Sequence, residues 1–556
     1  MLDLLKPLRP VLVYAALFSL AINVLLLAPA LYLLQVFDRV LTSRHEETLV
    51  MLTLVALIAL VMSVVLDVLR GWLLAAAAVM LDRRIGPLAL ERIVTNKARL
   101  RPGDSAGGLR DVNTVRQFVS GQGILSLFDT PWMPIYLAVI YLFHPVLGLI
   151  ATVGAVVLLG LAILNERTTR KAIKALNEET RSASRFIDTA VRNAEAASGL
   201  GMLGRLIGRW QAINARALVS LNNLSRTSGF FTGSTRFARQ LLQIAMLGGG
   251  ALLVIDANVS AGVMMAGTII LGRALAPVEM LIAQWKNLVE AFAAATRLNE
   301  LLASVETHES LELPAPKGAL ALEGVVFSYR ASKRPTLRGV SYNLKEGESL
   351  GLIGPSASGK STLARLVIGL WAPQAGTVRL DGADIAQWPR ERLGQYIGYL
   401  PQDVELFPGT VAENIARFGP ADSEGVVTAA QRARVHSMIL RLPNGYDSDI
   451  GEEGALLSPG QRQRIALARA VYGDPRMVVL DEPNSNLDSE GEKALLECMA
   501  ELKQAGITVV IVAHRPSLLT DVDKILVLRD GQVEMFGPRA DIVPRVTFAQ
   551  PRASNA

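Results

Sequence analysis

Cysteine is nearly absent. Cys498 is the only one in 556 residues, which excludes an intrachain disulfide and any cysteine-rich zinc site, and it reads as a small buried residue on a helix. Charge is scarce too. Asp, Glu, Lys and Arg make up 19% of the chain, against about 25% in an ordinary globular protein. Apolar residues reach 51% and the mean hydropathy is +0.34. This excludes intrinsic disorder and collagen-like order, yet the chain is too charged for a pure membrane bundle. One membrane part and one soluble part are expected. The net charge of +6 has a location: residues 1–316 hold 29 basic and 22 acidic residues, and the remainder holds 27 and 28. Because the basic half is also the apolar half, its charge reads as flanking membrane spans, and no nucleic-acid partner is expected.

Long apolar runs are confined to that first half. A bilayer needs about 20 such residues, and six stretches qualify, near 11–36, 49–80, 124–143, 145–165, 237–257 and 260–284. The first, Val11 to Val36, exceeds the roughly 7–15 residues of a signal-peptide core and reads as a retained span. Lys and Arg are missing from the joints His144-Pro145 and 256–262, and the joint at 37–48 holds only Arg39 and Arg44. The alternate joints are basic: Arg83, Arg84, Arg92, Lys97, Arg99, Arg101, Arg110 and Arg116 lie within 81–123, and twelve more lie within 166–236. The positive-inside bias makes those joints cytoplasmic, and both termini with them. The stretch 166–236 has no proline and is rich in Ala, Leu, Arg and Glu, so it predicts helices continuing out of the bilayer. Glycines 199, 201, 204 and 208 mark the expected turnaround. Asp67 and Arg70 are expected to pair locally near the cytosolic end of the second span. Arg273 lies deep in the sixth span and is expected to line a hydrated pathway, with Pro277 able to kink the helix four residues later.

From about 286 the chain turns polar and ends in the linker Leu313-Pro314-Ala315-Pro316-Lys317-Gly318. The expected division is 1–300 for six spans and their extensions, 301–318 for the linker, 319–545 for a soluble domain and 546–556 for a tail. In the soluble part, β-rich runs (350–353, 477–480, 508–512, 524–528) alternate with helix-like stretches, which predicts an α/β domain with a largely parallel sheet.

The chemistry sits at the ends of those runs. The strand 349–353 leads into Gly354-Pro355-Ser356-Ala357-Ser358-Gly359-Lys360-Ser361 and then a helix-like segment from Thr362. This is a phosphate-binding loop in the context it requires. Backbone N–H groups at a helix start surround phosphates, Lys360 sets a cation on them, and the Ser361 hydroxyl ligates Mg²⁺. The strand Met477–Leu480 ends in Asp481-Glu482. There, Asp481 is expected to hold the Mg²⁺ shell and Glu482 to orient and deprotonate the attacking water. His514, after the strand 509–512, is expected beside the terminal phosphate.

A generic nucleotide hydrolase has no need of Leu457-Ser458-Pro459-Gly460-Gln461-Arg462-Gln463-Arg464. With this segment the sequence resembles the ABC transporters, whose signature is L-S-G-G-Q. The resemblance implies that Tyr329 stacks on adenine, that Gln402 is the Q-loop residue reaching the metal, and that Asn486-Leu487-Asp488 is the D-loop. It likens Gly451-Glu452-Glu453-Gly454 to the exporter X-loop. In the family, the signature of one subunit closes over ATP held by the other. A homodimer using ATP and Mg²⁺ is therefore implied, with Ser458, Gly460, Gln461 and Asp488 completing the sites. Pro459 replaces a signature glycine and removes one N–H, which raises the expectation of a reduced turnover.

Six spans before one such domain resemble a half-size exporter: a membrane α-helical bundle of ABC exporter type plus an α/β P-loop NTPase domain. The stretches 31–41, 127–136, 270–279 and 481–488 are similar to type I secretion ATPase/permeases of the alkaline-protease exporter branch. That resemblance implies an inner-membrane homodimer with a cytoplasmic ATPase domain, among membrane lipid, working with a periplasmic membrane fusion protein and an outer-membrane channel. The cargo would be a secreted, unfolded protein with a C-terminal signal. Coupling elements are expected near 105–119 and 199–212. With about ten residues before the first span, no peptidase-like N-terminal domain is expected. A lipid or drug exporter and a non-pumping nucleotide-gated regulator remain as alternatives.

Overall fold

Among the described residues, six helical stretches in the first half are long and apolar enough to cross a membrane: Arg9–Ser43, Glu46–Ala98, Gln122–Phe143, Pro145–Arg192, Leu203–Ile255 and Ala261–Ala283. Each matches one of the six runs expected from sequence, although the fifth run, 237–257, overshoots its helix by two residues and the sixth, 260–284, by one at each end. The structure, a computed structural model, describes residues 8–98, 107–303, 313–329, 334–420, 422–513 and 515–545. It divides into a helical unit and an α/β unit.

In the helical unit the first span is built from α1 (Arg9–Leu25), α2 (Ala28–Gln35) and a π-helical turn, Val36–Val40. A proline in the first turn of α2 restarts the helix where its missing N–H costs nothing. Next come α3 (Glu46–Ala98), α4 (Gly107–Ser120), α5 (Gln122–Asp129) and α6 (Met133–Phe143). The long helices α7 (Pro145–Arg192) and α9 (Leu203–Ile255) flank the short α8 (Ala194–Gly199). They are followed by α10 (Ala261–Ala283) and α11 (Trp285–Ala303). At 1.5 Å per residue α9 is about 80 Å long, far more than a bilayer needs.

Burial on α3 follows a single stripe, Ser63, Arg70, Leu74, Ala77, Ala78, Leu81, Ile85 and Ala89, at three- and four-residue steps. Large apolar side chains on other faces, such as Val50, Ile58 and Leu142, are exposed, which suits helices solvated by lipid. Small residues let the helices approach. A Cβ on Gly154 of α7 would stand 2.6 Å from a Leu242 methyl on α9.

Two expectations change in detail. The turnaround falls at Asn193 and at Leu200–Met202, earlier than the glycines suggested. Gly199 and Gly201 belong to it, but Gly204 and Gly208 lie inside α9 with open space around them, where the helix tolerates them at modest cost. Consequently 199–212 is a turn plus the start of α9, and the short helix there is α8. The Asp67–Arg70 pair is formed at 2.7 Å, but it is part of a wider cluster. Arg70 is buried and also reaches Asp129 of α5 at 2.9 Å and Ser19 of α1 at 3.1 Å. Ser19 hydrogen-bonds the same Asp129 oxygen, Asn23 donates to it at 3.0 Å, and Tyr136 donates to Asn23. Arg273 is exposed on α10, which runs unbroken through Pro277.

The α/β unit holds a six-stranded sheet of order β10-β9-β3-β8-β7-β6 and a four-stranded antiparallel sheet of order β2-β1-β4-β5. The strands are β1 (Leu320–Phe327), β2 (Leu337–Leu344), β3 (Ser349–Ile353), β4 (Ala375–Leu380), β5 (Ala383–Asp384), β6 (Ile397–Leu400), β7 (Met477–Asp481), β8 (Thr508–Val512), β9 (Lys524–Arg529) and β10 (Gln532–Pro538). Every residue of β3, β7 and β8 is buried, which is why they read as unbroken apolar runs. Alternate residues feed two cores. Leu480 and Ile511 join the one containing Cys498, while Leu350, Leu352, Val479 and Val510 join the other. Cys498 is fully buried on the helix Ser489–Gln504.

Candidate functional site

Parallel register sets the site. Leu352 pairs with Val512, and Asp481 pairs with Val512 from the other side, so β3, β7 and β8 end at one edge of the sheet. In an open parallel sheet that carboxyl edge is where ligands bind. The loop after β3 leads into the helix Lys360–Val367. Its turns need left-handed backbone at Gly354 (φ +152°), Ala357 (φ +63°) and Gly359 (φ +103°). A Cβ at Gly354 would lie 2.1 Å from the Leu528 carbonyl oxygen, so no larger residue fits there. Pro355 and Ser356 complete the curve, and Ser358 is buried with its hydroxyl oxygen lacking a partner.

Lys360 is buried and folds back over the loop, its Nζ donating to the carbonyls of Gly354 and Pro355 at 2.9 Å each. Burial pushes its pKa down, while Glu482 and Asp481 oppose that shift. A polyanion at the loop would give this ammonium stronger partners than two neutral carbonyls. Ser361 donates from Oγ to Asp481 Oδ1 at 3.1 Å. Asp481 is fully buried, and its other oxygen, Oδ2, has no hydrogen-bond partner. Burial raises the Asp481 carboxyl pKa above the usual range, more than Ser361, Arg365 and Lys360 lower it. A hydroxyl and a buried carboxylate with an orphaned oxygen are the hard-oxygen donors that Mg²⁺ takes, so these residues fit that ion.

Glu482 follows in a strained left-handed conformation (φ +50°), its N–H held by the Val512 carbonyl at 3.1 Å. Gln402, just past β6, donates from Nε2 to Glu482 Oε2 at 3.1 Å. The structure thus brings Gly354–Thr362, Gln402, Asp481 and Glu482 together. His514 lies outside the described residues. Tyr329 is half-buried, edge-on to Phe327 and Trp371 at 5.5 Å, and its hydroxyl shares a 2.9 Å hydrogen bond with that of Thr362.

The signature lies at the start of the helix Pro459–Val471. Ser458 is its N-cap, accepting from the Gln461 N–H, while the Gln461 side chain accepts from the Ser458 N–H in a reciprocal capping box. Pro459 is therefore the first helical residue, where an N–H would have no intrahelical acceptor and the ring pre-sets φ. Gly460 comes next, its missing Cβ 3.0 Å from the Asn486 carbonyl oxygen. Asp488 caps the helix Ser489–Gln504 through the Gly491 N–H and pairs with Arg464 at 2.8 Å.

One buried polar residue, Gln463, was not singled out within the signature segment. Gln463, 1% exposed, donates to the Pro483 carbonyl and accepts from the Asn486 N–H at 2.9 Å. It ties the signature helix to the loop that follows Glu482. Its sequence signal was weak, because it sits in the polar run Gln461–Arg464 and only its three- and four-residue spacing to Ala466 and Leu467 points inward.

Residues 12–275 match the family described as ABC transporter transmembrane region, and residues 337–485 match ABC transporter. The type I secretion system ATP-binding protein PrsD of Rhizobium meliloti (strain 1021) is 43% identical over 96% of this chain and 92% of its own length. The chain belongs to the ABC transporter family. This transporter is also 28% identical to the toxin RTX-I translocation ATP-binding protein of Actinobacillus pleuropneumoniae, over 96% of its length and 76% of the relative's. A leukotoxin translocation ATP-binding protein, LktB of Mannheimia haemolytica, is likewise 28% identical. A bacterial Atm1-family ABC exporter with ATP bound shares the fold, with a TM-score of 0.85 over 97% of each chain at 24% identity. The transporter is an integral membrane protein that binds and hydrolyses ATP.

Proposed function

We propose that this transporter is the ATPase/permease of a bacterial type I secretion system, exporting an unfolded protein with a C-terminal signal across the inner membrane. The reading is carried by the similarity to PrsD over nearly the whole chain, and the gathering of the 354–362 loop, Gln402, Asp481 and Glu482 at one sheet edge supports it. The toxin-translocating relatives support protein cargo over lipid or drug cargo. The working unit is a homodimer with both termini and the ATPase domains in the cytoplasm. It works with a periplasmic membrane fusion protein and an outer-membrane channel.

Each ATP is held by Lys360 and the 354–362 loop of one copy, with Tyr329 on the adenine. Ser458, Gly460, Gln461 and Asp488 of the second copy close over it. Ser361, Gln402 and Asp481 would hold Mg²⁺, which would supply charge neutralisation at the phosphates. Glu482 orients and deprotonates the attacking water, and His514 stabilises charge at the terminal phosphate. ATP joins the two α/β units, residues near 105–119 and 199–212 transmit the closure, and hydrolysis resets it.

Roles separate by substitution. Lys360→Ala is expected to weaken ATP binding at least about tenfold, whereas Glu482→Gln keeps binding, stops turnover and traps an ATP-bound dimer. Equal loss of binding in both, read by nucleotide titration of the purified protein, overturns the assignment. Stimulation of ATPase by a C-terminal peptide of a cognate cargo, and none by lipids or drugs, tests the cargo class.

A further inference from the structure

A groove of about 720 Å³ opens between α7 and α11, within the ~300–1,000 Å³ typical of ligand sites. Its walls carry Arg170, Lys174, Arg181 and Arg297 against Glu166 and Glu178. Arg181 and Arg297 both reach the buried Asp111 behind them, at 3.7 and 2.5 Å. Even with that carboxylate included, cations are in excess. Arg170 faces Glu166 only at 3.9 Å, and exposed Lys174 has no ion-pair partner among the described residues. The floor is apolar, formed by Ile173, Leu288 and the rings of Trp285 and Phe292.

Past Ile173 and Trp285 lies a second cavity of about 210 Å³ with a different lining. Ser225, Ser228 and Thr232 supply hydroxyls that can donate or accept, Thr169, whose hydroxyl already donates to the Asn165 carbonyl at 2.6 Å, can only accept, and Lys286 also lines it. The buried Trp285 Nε1, on the wall common to both, has no hydrogen-bond partner. A carboxylate-binding, apolar-floored compartment thus adjoins one suited to peptide N–H and C=O groups of any sequence.

We infer that these two cavities form a binding site for an extended acidic–apolar polypeptide segment. Its carboxylates meet Arg170 and Lys174, its apolar side chains lie on Trp285 and Phe292, and its backbone continues among the hydroxyls. An anionic phospholipid shares the charge but not the reach. The apolar run of α7 ends at Leu164, and the two cations that would meet the ligand, Arg170 and Lys174, are 6 and 10 residues further, about 9 and 15 Å along the helix. A headgroup layer extends only about 5–8 Å beyond the hydrocarbon. The inference deepens the export reading, on which it rests, by giving the cargo a point of recognition.

The test uses the full chain in lipid nanodiscs and a fluorescent peptide of alternating Asp and Leu, with a Lys/Leu peptide as control. The Asp/Leu peptide is expected to bind, and the Lys/Leu peptide much less. Arg170→Glu combined with Lys174→Glu is expected to weaken Asp/Leu binding at least about tenfold and to improve Lys/Leu binding, with basal ATPase unchanged. Phe292→Ala is expected to weaken both peptides. Equal Asp/Leu binding by wild type and the charge-reversed protein overturns the site, as does loss of binding in anionic but not zwitterionic nanodiscs, which assigns the groove to lipid. A changed oligomeric state in the variants assigns it to subunit contact and also overturns the proposal. Normal cargo export by the charge-reversed variant sinks the site and leaves the export reading standing. Absent cargo stimulation in the wild type sinks that reading itself.

Discussion

At Pro459 a family departure and a local structural rule meet. The ring occupies the first helical position behind the Ser458 cap, where proline suits the helix and no intrahelical acceptor awaits an N–H. Pro459→Gly is expected to lower stability by about 0.4–1 kcal/mol through unfolded-state entropy. It also restores an N–H at the signature, so ATPase turnover is expected to rise. Thermal unfolding and steady-state hydrolysis check both signs together. Asp488 gives a pH signature. The Gly491 N–H, then Arg464, hold its carboxyl below the usual carboxylate range. Its contribution is therefore full above the unfolded value of about 3.9 and is lost as pH falls through the lower folded value. The gap in melting temperature between wild type and Asp488→Ala is expected to shrink over that acid window. The chemistry at Lys360, Ser361, Asp481 and Glu482 was legible because each residue sits in a contiguous motif after a buried strand. The orphaned Asp481 oxygen was not, since it depends on what surrounds the carboxylate in space.

Among the elements, α1, α3 and α5 are joined by an ionic cluster around the buried Arg70 that the sequence only half disclosed. The Asp67–Arg70 spacing was visible within one helix, but Asp129 lies 59 residues from Arg70, and periodicity carries no information about such a partner. Arg70→Met removes the cation and strands Asp129 beside buried Ser19 and Asn23. It is expected to destabilise the helical unit by about 3 kcal/mol, read as a lower melting temperature of the detergent-solubilised protein. Arg70→Met with Asp129→Leu is expected to recover part of the loss, because the carboxylate then left without a partner, that of Asp67, is more than half exposed. The six spans were legible from hydropathy. The ends of α7 and α9 were not, because their polar extensions alternate smoothly with apolar residues and glycine is a weak stop signal inside a long helix.

For the whole molecule, the proposed ATP sites need residues from two copies. A chain carrying Ser356→Cys mixed with one carrying Ser458→Cys is expected to crosslink between copies in ATP and vanadate, and far less without nucleotide. No crosslink under any nucleotide condition removes the shared site. That experiment is also free of background labelling. Burial pushes the Cys498 thiol up to about 12, and no part of it meets solvent. The natural protein therefore offers nothing for maleimides or nitroxide reagents to find, and any introduced probe can report its own position without the native thiol first being engineered away.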